Sequence, residues 1–158
     1  MLLAGHDRLA SVIRELSDDE LALPAQGVWT RRDVVAHIEW WERHSTLVIA
    51  AAHEGRDPFR RDVPFDLDAR NEQVFRENLG RSAADVRSGE AAAWDERLGA
   101  LASVEAEDLF DPARFAWSDG TPLVEIIRGD TDRHWEEHLP YLRLARIGEV
   151  GGPAGRAD

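Results

Sequence analysis

The sequence predicts an all-α protein that folds as a four-helix bundle with a long crossover connection. Apolar residues recur at helical spacing in four segments, and Ser or Thr followed three residues later by Asp or Glu marks several helix starts. No set of segments has the apolar–polar alternation of half-buried strands, and no repeat is visible. The 158-residue length fits a single domain over residues 1–147, followed by a flexible tail over residues 148–158.

Periodicity and end signals place the first two helices. Leucine, valine and isoleucine recur at helical spacing over residues 2–16, which predicts the first helix. The second begins after Thr30, whose capping partner is Asp33, and ends near Gly55.

The middle of the chain contains the crossover and a third helical region. Two prolines within residues 55–65 predict a loop. The helical region starts near Asp66, breaks at Gly80 and restarts at Ser82, and the pattern fits either one broken helix or two.

The last helix is expected from Leu123 to about Arg146. A loop over residues 107–122 precedes it, with Thr121 as the N-cap and proline as the first helical residue. Pro140 lies inside this helix and cannot donate a backbone hydrogen bond, so we expect a kink there.

The composition excludes several classes of function. The chain has 31 acidic and 19 basic residues, all of the latter arginine, for a formal net charge of -12. Such a chain repels a phosphate backbone, so we expect no nucleic-acid partner. Without cysteine, disulfides, Cys-ligated zinc, iron–sulfur clusters and a cysteine nucleophile are excluded. The sequence shows neither a signal peptide nor an apolar run of about 20 residues, so we expect a cytoplasmic protein with no membrane partner.

The stretch GDTDRHWEEHLPYL, residues 129–142, carries His134 and His138 four positions apart. On a helix this spacing places both on one face, about 6 Å apart, where they can converge on one metal ion. Solvated surface histidines are the alternative, and the pair alone favours it because the motif is short. Ile127 and Thr131 continue the same stripe, which places the pair at the edge of the buried face, where bundles build metal sites.

His37 is the candidate third ligand, because it is flanked by Val34, Ile38 and Trp41 in the second helix. A half-buried histidine hydrogen-bonded to a neighbour is the alternative. Three neutral imidazoles suit Zn²⁺, Ni²⁺ or Fe²⁺, and the sequence does not choose among these ions. Three protein ligands leave a position for water or substrate, as in catalytic sites.

Two acids near these histidines are candidate catalytic residues. Asp130, one turn before His134, is the candidate acceptor for the distal N–H of a ligating ring, and a solvated acid is the alternative. Asp130 or Glu137 would orient a ligand or move a proton.

The aromatic residues suggest where a substrate pocket would lie. Trp40, Trp41 and Trp117 are the candidate pocket residues, and core packing is the alternative for each. His6 and His53 lie near helix ends and are expected to be solvated. His44, seven positions after His37, could share the face of that ring, but a role outside the site is favoured for it.

Two motifs resemble the DinB-like four-helix-bundle superfamily, and within it the ClbS/DfsB branch. The first motif is in the second helix and the other in the last helix. The matching residues are Trp29, Thr30, Asp33 and His37, followed by Gly129, Asp130, Thr131, His134, Trp135, Glu137, His138 and Pro140. One departure is the acid at Asp130, where the branch frequently has asparagine.

The resemblance implies that His37, His134 and His138 hold a divalent ion, and that the chain forms a homodimer. Some relatives are metal-dependent thiol S-transferases that use mycothiol or bacillithiol. Another is a cyclopropane hydrolase that protects its producer from a genotoxin, but it lacks the three histidines.

These observations leave three hypotheses for function. The first is a metal-dependent enzyme acting on a small electrophilic or thiol-conjugated substrate, by hydrolysis or thiol S-transfer, in detoxification or self-resistance. The second is a protein that binds or sequesters a small molecule in a Trp-lined cavity. The third is that the ion is structural.

Overall fold

The computed structural model of the chain describes residues 2–59, 62 and 64–143. The expected tail over residues 148–158, and the domain boundary before it, lie outside the described residues. In chain order the elements are α1 (Leu2–Glu15), α2 (Asp18–Leu21), β1 (Pro24–Gln26), β2 (Trp29–Thr30), α3 (Arg31–His53), α4 (Leu67–Asn78), α5 (Ala83–Leu101), α6 (Ala106–Phe110), a 3-10 turn (Ala116–Ser118), α7 (Leu123–Asp130) and α8 (Asp132–Leu142).

The predicted all-α bundle is confirmed. Its four arms are α1, α3, α5 and the consecutive pair α7 and α8, while α4 lies in the crossover between α3 and α5. The central arm is α3, which packs most extensively on α5 and also contacts α4, α7 and α8. No helix in the described part of the chain is long and apolar enough to cross a membrane.

Two apolar clusters fill the bundle along α3. The first includes Leu9, Val34, Ile38, Trp135 and Leu142, and it joins α1, α3 and α8. The second lies further along α3 and is built on Val48, Ile49, Ala52, Leu123 and Ile127. Since α3 contributes to both, it is the helix on which side chains from the other arms can meet.

Local capping chemistry starts the helices where the sequence predicts. The side chain of Thr30 accepts the backbone N–H of Asp33, and the Asp33 carboxylate accepts the backbone N–H of Thr30 at 2.8 Å. Ser82 and Asp85 form the same reciprocal pair before α5. The third helical region is therefore two helices, with Gly80 between them at a φ of 82°.

The prediction of one continuous last helix was wrong. The helix breaks at Thr131, where φ is -129° and ψ is -107°. The Thr131 hydroxyl donates to the carbonyl of Ile127 at 2.8 Å, and a hydroxyl bonding to the preceding turn perturbs a helix. Pro140 lies inside α8, which continues to Leu142.

Short elements also depart from the prediction. The expected loop over 107–122 includes part of α6 and the 3-10 turn, and Pro122, not Thr121, directly precedes α7. β1 and β2 form a small antiparallel ribbon around Gly27, whose φ is 58°. Elements of two to five residues are too short to show a periodicity.

Gly89→Ala is expected to lower the free energy of unfolding by about 1–3 kcal/mol, as overpacking does. Gly89 lies in α5, and a Cβ there would overlap Oε2 of Glu39 and lie 2.5 Å from the Arg81 guanidinium. Gly99→Ala is the matched control in the same helix, because nothing lies within 4 Å of its Cβ position. Urea denaturation of both variants measures the difference in their free energies of unfolding. If Gly89→Ala were as stable as Gly99→Ala, α3 and α5 could not pack as closely at Gly89 as the structure indicates.

Candidate metal centre

The three histidines of the predicted triad come together between α3 and α8. His37 is 3% exposed and lies in the buried stripe of α3. His134 and His138 are half-buried, and they lie one turn apart on α8. The packing of α8 against α3 and α1 therefore sets the distance between the rings.

Their Nε2 atoms converge on one point. Nε2 of His134 is 2.9 Å from Nε2 of His37 and also 2.9 Å from Nε2 of His138. The three candidate ligand atoms all lie within 4.8 Å of one another. They form part of the wall of a pocket of about 670 Å³, so the convergence point is open to a small molecule on one side.

Burial keeps the three rings neutral. Desolvation, followed by the neighbouring His138, lowers the pKa of His37 to about 3. Desolvation also lowers the pKa of His134 to about 2, helped by both neighbouring rings, and that of His138 to about 4. Neutral imidazole is the form that binds a metal ion.

The donor set fits a divalent ion better than it fits hydrogen bonding. A ring nitrogen carries either a proton or one lone pair, so Nε2 of His134 cannot form well-directed hydrogen bonds to both partners. A cation at the convergence point would bind all three lone pairs at once. Nitrogen ligands of this type suit Zn²⁺, Ni²⁺ or Fe²⁺.

Asp130 has a different partner from the one expected. Its Oδ2 atom lies 2.7 Å from Nδ1 of His44, and the Nδ1 atom of His134 is buried without a hydrogen-bond partner among the described residues. The expectation that Asp130 holds a ligating ring was therefore wrong. Asp130 and Glu137 both line the pocket, and Glu137 is exposed. Burial raises the pKa of Asp130, while the hydrogen bond from His44 opposes this shift.

The structure brings only one of the three candidate tryptophans into the pocket. Trp41 lines it, together with Trp29, which is half-buried beside the His37 ring. Trp40 stacks on His44 and is not part of the pocket wall. Trp117 stacks on Phe115 in the second apolar cluster, because the 3-10 turn places it there.

A second polar cluster is buried between α1, α3, α5 and α8, and the sequence did not indicate it. His6 is 7% exposed, so the expectation that it is solvated was wrong. Its Nε2 lies 2.9 Å from Oε1 of Glu90, and Glu42 accepts the indole N–H of Trp135 at 3.0 Å. Arg97 is fully buried and lies 3.7 Å from Glu42. His6, Glu42 and Glu90 also form a possible metal-binding group, but the Arg97 charge makes it a poorer cation site than the triad.

Glu42→Gln is expected to remove a pH dependence of stability. Desolvation raises the Glu42 pKa to about 8, although Arg97 opposes the shift. The folded chain therefore keeps this proton where the unfolded chain releases it. Between about pH 5 and 7.5, rising pH should destabilise the natural chain relative to the variant, by up to about 1.4 kcal/mol per pH unit.

Urea denaturation at several pH values measures the difference in the free energy of unfolding between the natural chain and Glu42→Gln. Groups that titrate in the same way in both proteins make no contribution to this difference. Glu136→Gln is the control, because Glu136 is exposed on α8. A pH-independent difference between Glu42→Gln and the natural chain would show that Glu42 is ionised in the folded state.

The four-helix bundle, with three convergent histidines between its arms, agrees with the expected DinB-like architecture. A family model, described as the mycothiol maleylpyruvate isomerase N-terminal domain, matches residues 2–134. The chain belongs to this family, which is part of the DinB-like superfamily, often binds metal and is linked to mycothiol-related enzymes. No curated protein and no solved structure matches the chain.

Proposed function

We propose that the protein is a metal-dependent enzyme that acts on a small thiol or on an electrophile conjugated to one, by S-transfer or hydrolysis. The observation that carries this proposal is the convergence of three neutral imidazole nitrogens on the wall of a pocket of about 670 Å³. A structural ion is usually enclosed by four protein ligands, whereas three histidines beside a pocket leave room for substrate. The family's link to mycothiol-related enzymes supports a thiol substrate.

The residues around the triad have separate roles in this proposal. When a divalent ion is bound, it supplies Lewis-acid chemistry that favours deprotonation of a thiol or of water. Glu137, exposed on the pocket wall, accepts the proton. His44 holds Oδ2 of Asp130, which orients that carboxylate in the pocket wall. Trp29 and Trp41 provide apolar surface for the rest of the substrate.

The narrower resemblance to the ClbS/DfsB branch stays a prediction. The motifs around His37 and His134 support it, and the match to the isomerase N-terminal domain leaves it open. A role in detoxification follows from that branch and is proposed on the same grounds.

Binding or sequestration of a small molecule is the second candidate. It is favoured by Trp29 and Trp41, because both rings lie on the pocket wall and neither belongs to the candidate ligand group. Saturable ligand binding to metal-free protein, without turnover, would support this candidate over the enzyme.

Glu137→Gln is expected to lower the rate of a metal-dependent reaction by about a hundredfold, as loss of a general base does. The assay follows the addition of 2-mercaptoethanol to a model epoxide by zinc-reconstituted protein. Glu136→Gln is the matched control, because Glu136 is the neighbouring exposed carboxylate on α8 and does not line the pocket. A rate that is the same with and without metal would contradict the proposed function.

A further inference from the structure

The pocket beside the triad carries four carboxylates and no arginine among the described residues that line it. These carboxylates belong to Asp68, Glu72, Asp130 and Glu137. We infer that the pocket selects a small thiol that carries a cationic group, such as an ammonium, and discriminates against anionic ligands. This inference deepens the proposed function and rests on it, since it names the substrate class of the same site.

The carboxylates reach the pocket from three helices. Asp68 and Glu72 are one turn apart on α4, and both are exposed. Glu137 lies on α8 between the two ligating positions, and Asp130 ends α7. A ligand in this pocket therefore has carboxylates on several sides, and their fields add.

Two of the four carboxylates have a side-chain partner among the described residues and two do not. Glu72 pairs with Arg76 at 2.7 Å, and Asp130 pairs with His44. Asp68 and Glu137 form no ion pair with any other described residue. Before an ion is bound, the described side chains that line the pocket therefore carry more acidic than basic charge.

The aromatic part of the wall also favours a cation. Trp29 and Trp41 line the pocket, and an indole face attracts an ammonium or guanidinium group. Trp40, just outside the pocket wall, already has the Arg70 guanidinium 5.4 Å from its ring centroid.

A dianion meets no arginine on the described wall of this pocket. Maleylpyruvate, which the family description names, carries two carboxylates, and the described pocket wall offers it no arginine as a counter-ion. The chain has no lysine to supply one. Membership of the family therefore does not make maleylpyruvate the expected substrate of this chain.

The test measures binding of three thiols of similar size to the protein loaded with Co²⁺. Cysteamine is cationic, 2-mercaptoethanol is neutral and mercaptoacetate is anionic, and each forms a thiolate-to-cobalt absorption band when it binds. The thiols differ in acidity and chelating ability. The informative quantity is therefore the change in the ratio of their dissociation constants between the natural chain and a variant.

The double variant Asp68→Asn/Glu72→Gln should weaken the preference for cysteamine over mercaptoacetate by about tenfold. The double variant Glu77→Gln/Asp95→Asn makes the same change in net charge at exposed positions that do not line the pocket, so its ratio should equal that of the natural chain. Adding about 0.5 M NaCl should reduce the preference of the natural chain, because salt screens exposed charges.

The outcomes separate this inference from the function on which it rests. Thiolate bands with an unchanged ratio in Asp68→Asn/Glu72→Gln, or with an equal change in the control, would overturn the charge selectivity alone. No thiolate band with any of the three thiols would overturn the proposed thiol chemistry, and the inference with it.

Discussion

His134→Ala should abolish stoichiometric metal binding and lower the affinity for a divalent ion by more than about a hundredfold. His134 is the central member of the triad, since its Nε2 lies 2.9 Å from Nε2 of both other histidines. Its removal leaves two rings on different helices and no third nitrogen. Elemental analysis of protein purified without a histidine tag, together with a Co²⁺ titration, measures the loss.

His53→Ala provides the control for this prediction. His53 is exposed at the end of α3 and belongs to no metal-binding group among the described residues. The variant should bind one ion per chain with unchanged affinity. Equal metal content in His134→Ala and the natural chain would refute the triad, as would equal loss in both variants.

Trp135→Ala should lower the free energy of unfolding by about 4 kcal/mol, the scale of a large-to-small change in a core. Trp135 is 1% exposed, and its indole N–H donates to Glu42 at 3.0 Å. Its ring also lies 4.9 Å from the Arg97 guanidinium carbon. The variant therefore creates a cavity and removes both contacts from a buried polar cluster.

Urea denaturation tests this prediction, with Trp40→Ala as the comparison. Trp40 is half-buried and stacks on His44, so its loss should cost less, about 1–2 kcal/mol. If Trp135→Ala were as stable as the natural chain, the first apolar cluster could not depend on α8 as the structure indicates.

The helix starts were predictable because their signals are local. Thr30 and Ser82 each find their capping partner three residues away, so a short window of sequence contains the whole interaction. The break at Thr131 was not predictable in this way. Proline at position 140 gave the stronger local signal, whereas the actual break accompanies a hydroxyl that bonds to Ile127 within the buried face.

The candidate site was predictable in part for a similar reason. His134 and His138 share a helix face by spacing alone, and the apolar neighbours of His37 indicated a buried ring. The partners of His6 and Asp130 lie 84 and 86 residues away in sequence, so their pairing follows only from the packing of the bundle. The small ribbon that brings Trp29 to the pocket is likewise too short to read from a pattern.

X-ray absorption spectroscopy of the zinc-loaded protein tests the central claim most directly, because it reports the atoms bound to the ion. The triad predicts three imidazole nitrogens at about 2.0–2.1 Å, with one or more lighter ligands from solvent or a carboxylate. Fewer than three imidazoles around the ion would contradict the assignment of His37, His134 and His138 as its ligands.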